Sequence, residues 1–516
     1  MTTAKQNVFK NCVQGVFLCC FSAVSLWLAF PKTDIWPLSW VGLVPLMFAL
    51  RGKNPLASFF MAYFCGLVFF SGTLYWFVHV TKLGAVLIVM YCAVYFGLFG
   101  LGYNYFRDKT IVVKMFLIPA VWVIFEFLRA NLFTGFGWAG LGQSQYKNLP
   151  MIQIADITGT YGISFLIVMV NVVWERIFQL FLEKKSVVKE KGMLKAVCLA
   201  LCLLALTWGY GMKRLSEEGG DDGLSIAVVQ GNIPQELKWH EFYWPDILAK
   251  YQILTQQAAL ENPDLIIWPE TSFPGYIGEH EDLFEKLKNF TKEVNIPLLF
   301  GAVVKQGERY FNSAVLLSNE GGVLEQYNKI HLVPFGEYIP FRRFFPFLSQ
   351  IVPIADFESG AREVLFPFPS SRSVVKYFSV LICFEDTVPR LSRMVVQRGA
   401  QLLINVTNDA WFQDTKAPFL HLQAAVFRSI ENRRALVRST NTGVSCFIDP
   451  YGRIVKAVED VRQKKTYVLG HAVNEVPFRS QMTFYTRLGD IFTYLCFGGL
   501  LAVLLLDRYG SRIFFC

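Results

Sequence analysis

Three strand-like runs in the second half of the chain each end in a residue suited to acyl transfer. Leu265-Ile266-Ile267-Trp268-Pro269-Glu270 ends in a carboxylate and Tyr327-Asn328-Lys329 presents an amine. Val380-Leu381-Ile382-Cys383-Phe384-Glu385 carries a thiol where apolar residues give way to polar ones. In α/β sheets, strand ends and the loops after them build the site. A thiol nucleophile needs a base to take its proton, and a nearby cation favours both the thiolate and the oxyanion formed when it attacks a carbonyl. Glu270 and Lys329 have those chemistries. Taken singly, each has a plain structural reading: a Cys after an apolar run is ordinarily core, and a lone Glu or Lys is ordinarily solvated.

These residues belong to a stretch, from about Leu224 to Asn474, of short β-branched runs separated by helical segments: SIAVVQ, LIIWPE, LLFGAVV, AVLLS, SVLICF and LLINVT. That pattern predicts an α/β domain whose strands are buried on both faces. The segment is long enough to bury its own core.

The rest of the chain differs. With 53% hydrophobic and 17% charged residues, and 48 Phe among 516 residues, the composition is that of a membrane protein. Apolar spans are predicted near 11–30, 35–50, 55–78, 83–106, 112–129, 160–182, 193–211 and 487–506. The second is short, and the fifth carries Glu126 and Arg129, spaced to pair with each other or with the following loop. Lys5 and Lys10 before the first run resemble the start of a signal sequence, but no small-residue cleavage site follows; the run reads as an uncleaved helix.

The net charge of +9 is a topology signal rather than a nucleic-acid footprint. Arg51 and Lys53, then Arg107, Lys109 and Lys114, then Lys184, Lys185, Lys189, Lys191 and Lys195 fall on one side, joined by both termini. The positive-inside rule makes that side cytoplasmic and places the α/β domain outside. Of the 11 cysteines, only Cys383 and Cys446 lie in the polar part, too few for a disulfide framework, and no Cys/His cluster suggests a metal. His331 and His421 read as hydrogen-bonded structural histidines, Cys446 as core, and Asn408 and Asp409 as fixing a turn.

The motifs resemble the nitrilase superfamily and, within it, the membrane branch of apolipoprotein N-acyltransferases. The resemblance rests on Val229-Gln230-Gly231-Asn232-Ile233-Pro234 with Lys238-Trp239, on Trp268-Pro269-Glu270-Thr271, and on Asn328-Lys329 through His331 to Pro340. It continues in Cys383-Phe384-Glu385, Asn405 through Phe412, and Arg438 through Gly443. In the membrane part it rests on Thr134-Gly135-Phe136-Gly137-Trp138 and Ser144-Gln145. Gln413 stands where the family usually has Gly, and Val426 where it often has Arg.

What the resemblance implies is an αββα sandwich over 223–475, a seven-helix transmembrane domain over 1–214 and a closing helix over 487–506. It implies transfer of an acyl chain from a phospholipid, through a thioester on Cys383, to the N-terminal amine of a diacylglyceryl apolipoprotein. Glu270 would be base and Lys329 the cation beside the oxyanion. Glu337 and Glu385 would support the site, the Phe384 N–H would meet the oxyanion, and Trp239, Tyr338 and Phe341 would contact substrate. The segment from Ile339 to Leu348 reads as an aromatic lid at the membrane interface. No cofactor or metal is implied, and the chain is expected to be a monomer in a bacterial inner membrane, with a periplasmic catalytic domain and cytoplasmic termini. Two alternatives stay open: a membrane-tethered amidohydrolase, in which water resolves the thioester, and a transporter with a binding domain. The ordered set of Glu270, Lys329 and Cys383 weighs against transport, and the motifs around Trp138 and Phe341 weigh against a soluble amide substrate.

Overall fold

A computed structural model describes residues 3–217, 223–334, 336–339, 356–368 and 375–513. The chain divides into two compact units, Met1–Ser216 with Leu488–Cys516, and Glu217–Arg487.

The first unit is helical. Among the described residues, six helices are long and apolar enough to cross a membrane: Pro55–His79, Lys82–Phe106, Ile111–Asn131, Thr160–Leu182, Met193–Leu215 and Ile491–Arg508, with a shorter apolar stretch at Cys12–Leu28. Their starts follow capping chemistry. Asn54 accepts from the Ala57 N–H with Pro55 in the first turn, and Thr81 accepts from the Gly84 N–H.

The span expected at 35–50 is not one helix. It breaks into Trp36–Leu38, Ser39–Gly42 and Val44–Leu50, with Pro37 and Pro45 each opening a new piece. The interruption is plugged from elsewhere: Asn171 accepts from the Leu43 N–H (2.8 Å) and donates to the Ser39 carbonyl (2.9 Å). Irregular backbone at membrane depth persists only where such partners satisfy it.

In the second unit the strands are β1 (Leu224–Gln230), β2 (Leu265–Ile267), β3 (Tyr276–Ile277), β4 (Leu298–Gln306), β5 (Arg309–Leu317), β6 (Val323–Asn328), β7 (Phe366–Pro367), β8 (Tyr377–Ile382), β9 (Leu402–Thr407), β10 (Leu436–Thr440), β11 (Cys446–Ile448), β12 (Ile454–Ala457) and β13 (Gly470–Val476). They form two sheets, ordered β13-β1-β2-β4-β5-β6 with β3 on β4, and β12-β11-β10-β9-β8-β7.

Each sheet has a parallel centre, β1-β2-β4 in one and β8-β9-β10 in the other; the short β3 also runs parallel to β4, and the remaining outer strands are antiparallel. Helices Trp244–Ala259 and Glu281–Val294 make the crossovers of the first sheet; Pro389–Gln397 and Ala417–Asn432 make those of the second. Between the sheets, Ile226, Val228, Leu265 and Ile267 pack with Val380, Ile382, Ile404 and Val437. The opposite face of the first sheet packs Ile266, Trp268 and Phe300 with Leu248, Tyr251 and Leu287 of its helices. Each such aliphatic side chain contributes about 1.5–3 kcal/mol by leaving water. Four layers result, helix, sheet, sheet, helix, and the parallel strands all present their carboxyl ends at one edge.

Candidate active site

At that edge β2 stops at Ile267, and Trp268-Pro269-Glu270 turns across β4. Gly301 makes the turn possible. Its N–H donates to the Pro269 carbonyl at 3.0 Å, and a Cβ there would stand 2.5 Å from the Glu270 Cα. The buried Glu270 carboxylate accepts from Asn312 Nδ2 at Oε1 and from the Asn408 N–H at Oε2, both at 2.8 Å.

Lys329, the residue after β6, is buried with its Nζ 2.8 Å from Glu337 Oε1 and 3.4 Å from Glu270 Oε1. Asn312 Nδ2 donates to Glu337 Oε1 as well, at 2.8 Å. Burial works against the ammonium, but Glu337 and then Glu270 outweigh it and hold Lys329 well above the ordinary lysine range.

Cys383 begins the 3-10 turn Cys383–Thr387 directly after β8. Its φ of +53° is a left-handed backbone that costs a non-glycine residue on the order of 1–3 kcal/mol. Burial, and next the Glu270 charge, push its thiol well above the ordinary value, with Lys329 pulling the other way. Glu270 and Lys329 thus act on the same sulfur in opposite senses, the carboxylate disfavouring its charged form and the ammonium favouring it.

Glu385 is fully buried and ties the two sheets together. Its Oε1 accepts from Tyr327 OH (2.8 Å), Ile330 N–H (2.8 Å) and His331 N–H (3.0 Å), and its Oε2 from Ile382 N–H (2.8 Å). The Phe384 ring stacks on His331 at 5.8 Å. Trp239 is 42% exposed and lies nearly parallel to Tyr276, with ring centroids 6.5 Å apart. Tyr338 is half-buried and bridges to Pro334. Phe341 and the rest of the expected lid beyond Ile339 lie outside the described residues.

Two site residues had no assigned role in the sequence. Asn312 donates to both carboxylates flanking Lys329. Lys238 is buried, and its Nζ donates to the Glu270 carbonyl (3.2 Å) and to Thr271 Oγ1 (2.9 Å), holding a turn in which Thr271 has φ +46°. Burial lowers Lys238 to about 8, with Glu270 and Cys383 opposing. Its place in the Lys238-Trp239 pair was the one available signal.

In the helical unit, Arg129 donates to the Phe136 (2.8 Å) and Trp138 (2.7 Å) carbonyls, and Glu126 accepts from the Leu141 N–H. The two residues brace the loop after their helix, as their spacing suggested. Gln413 has φ +52°, a conformation natural to the glycine usual at that place, and Val426 is buried in its helix.

The family model for the N-terminal domain of apolipoprotein N-acyltransferase matches residues 22–173, and the carbon-nitrogen hydrolase model matches residues 225–469. A protein named apolipoprotein N-acyltransferase from Geobacter metallireducens is 38% identical over 93% of this chain and 92% of its own length. The chain belongs to the apolipoprotein N-acyltransferase family. Relatives of the same name from Chlorobaculum tepidum and Pasteurella multocida are each 30% identical, covering 94% and 98% of this chain and 96% and 97% of theirs. Apolipoprotein N-acyltransferases thus match across both units, and the carbon-nitrogen hydrolase match spans Glu270, Lys329 and Cys383.

Proposed function

We propose that this chain moves an acyl chain from a membrane phospholipid to the N-terminal amine of a diacylglyceryl-cysteine on an apolipoprotein, in two steps through Cys383. In the first, Glu270 takes the Cys383 proton as sulfur attacks the phospholipid ester carbonyl. Lys329 and the Phe384 N–H receive the oxyanion, the thioester forms and lysophospholipid leaves with a proton. In the second, the acceptor's α-amine attacks the thioester, Glu270 accepts its proton, the amide forms and the thiol is restored.

The observation that carries this reading is the pairing of the buried Lys329 ammonium with the Glu270 carboxylate, both acting on the buried Cys383 thiol, in a chain that matches its family over both units. A binding module has no use for that arrangement, which weighs against transport. Glu337, Glu385 and Asn312 support the site; Trp239, Tyr338 and Phe341 meet substrate. No step calls on a metal or cofactor.

The apolar helices fit a multi-pass protein of the bacterial inner membrane. The proposed topology has seven helices in 1–214, a periplasmic catalytic domain over 223–475, a closing helix over 487–506, cytoplasmic termini and a monomeric state. The test mixes purified protein, a defined phospholipid and a diacylglyceryl-cysteine peptide. Mass gain of one acyl group on the peptide amine supports the reading; release of free fatty acid alone would favour hydrolysis.

A further inference from the structure

A buried charged cluster stands behind Cys383, apart from Glu270 and Lys329. His421, on helix Ala417–Asn432, has Nδ1 2.9 Å from Asp409 Oδ1 and Nε2 2.8 Å from Asp386 Oδ1. Arg438, on β10, meets the other oxygen of each carboxylate, at 2.7 Å from Asp386 Oδ2 and 3.2 Å from Asp409 Oδ2. All four side chains are fully enclosed. Arg428 is matched by Glu431 at 2.7 Å and donates to the Asp386 carbonyl, so it leaves the count unchanged.

Two carboxylates and one guanidinium leave one negative charge, which an imidazolium cancels. A neutral imidazole would also turn a lone pair toward either the Asp409 carboxylate or the Cys383 carbonyl oxygen, both of which can only accept. Charge balance and geometry therefore agree that His421 carries both N–H groups; burial and Arg438 oppose its charge, but the two aspartates together outweigh them and raise it to about 9.

The same Nε2 lies 3.2 Å from the Cys383 carbonyl oxygen, which also accepts from Asn405 Nδ2 at 3.2 Å. Asn405 is oriented by Arg438 NH1 at 2.7 Å. That carbonyl belongs to the peptide whose N–H is Phe384's. A trans peptide is planar, with C=O and N–H antiparallel, so fixing one end fixes the aim of the other. A charged donor on the carbonyl also polarises the N–H.

We propose that His421, with Asn405, is a positioning residue for the oxyanion: it holds the Cys383 carbonyl from behind, sustains its left-handed backbone, and aims and polarises the Phe384 N–H. This rests on the reading of Cys383 as nucleophile, but not on the identity of the acyl donor.

The test uses the full chain in detergent and two reactions of the same sulfur. With p-nitrophenyl butyrate, sulfur attacks the ester carbonyl through an oxyanion and p-nitrophenolate leaves; with iodoacetamide, sulfur displaces iodide and no oxyanion forms. Acylation should fall about 10-fold in His421→Gln, which keeps a neutral donor, and about 100-fold in His421→Leu, the range for a lost oxyanion contact. Alkylation should fall markedly less than acylation in each variant, since both reactions must ionise the thiol beside the uncancelled aspartate charge but only acylation forms an oxyanion.

Parallel loss of both reactions would mean a structural role only, and wild-type acylation in His421→Leu would also overturn the proposal. Should His421→Leu not fold, the ratio of the two rates in His421→Gln decides, an unchanged ratio overturning it. A wild type that reacts with p-nitrophenyl butyrate but never with phospholipid would remove the donor assignment and leave this test standing. A wild type inert to the ester overturns both.

Discussion

Lys329 lies between two carboxylates, 2.8 Å from Glu337 and 3.4 Å from Glu270, and Asn312 donates to both. Its charge is therefore compensated at rest, yet it acts electrostatically on the Cys383 thiol, which suits the oxyanion role proposed for it. Lys329→Met should slow thioester formation by about 100-fold or more, because one lost oxyanion donor removes about 2.7–4 kcal/mol; single-turnover mass spectrometry with phospholipid measures it, and a folded variant with wild-type rates would exclude the role. Glu270→Gln should stop acylation outright, while Glu337→Gln, which keeps the shape and the contact with Asn312, should slow it less. Cys383→Ala should abolish the one-acyl mass increment, and in wild type that increment should vanish with hydroxylamine. An increment surviving Cys383→Ala would place the nucleophile elsewhere. Glu270, Lys329 and Cys383 could be singled out in the sequence because each ends a strand-like run and sits in a recognisable motif, and the structure brings Glu270 and Lys329 to 3.4 Å of each other. Asn312 and Lys238 were not, because their contacts depend on how β5 and the 232–240 segment come to lie against Glu270, which chain order does not reveal.

The elements show the same division. Runs such as SIAVVQ, LLFGAVV and LLINVT became β1, β4 and β9 because strands buried on both faces must be apolar throughout. The two-residue strands β3 and β7 and the largely exposed β12 carry no such signal. The broken segment at 35–50 was read as a span because its plug, Asn171, lies 128 residues from Leu43. Helix Ala417–Asn432 gives the pH prediction. His421, raised to about 9 between Asp386 and Asp409 and beside Arg438, adds stability that is complete below its unfolded value, about 6.5, and is lost as pH rises through the folded value. Asp409, held below its usual range chiefly by His421 and Arg438 against burial, adds stability lost only on acidification. Between pH 6.5 and 9.5 the wild-type unfolding midpoint should thus fall more steeply than that of His421→Gln. Parallel curves in a thermal scan would remove the imidazolium from the network.

At the scale of the whole molecule, contacts within the helical unit bear on the proposed topology. Arg107 donates to the Lys53 carbonyl at 2.6 Å, Arg51 lies 3.7 Å from Glu183, and Lys109 pairs with Asp507 at 2.7 Å. The basic loops near 51, 107 and 183 and the C-terminal helix therefore gather at one end. Lys147 pairs with Asp34 at 2.7 Å, and Gln145 donates to the Trp36 carbonyl at 3.0 Å, which joins the sparsely basic loops to each other instead. Loops that pair across the unit must share a side of the bilayer, so the alternation read from Lys and Arg is also an alternation of contacts. In the proposed topology Met193–Leu215 crosses from the cytoplasmic side to the periplasmic side. An alkaline phosphatase reporter, active only outside the cytoplasm, should work when fused after Glu217 and fail when fused after Glu190, while a cytoplasm-dependent fluorescent reporter should give the reverse. Activity of the phosphatase at Glu190 and not at Glu217 would invert the topology and put the Cys383 site on the cytoplasmic side.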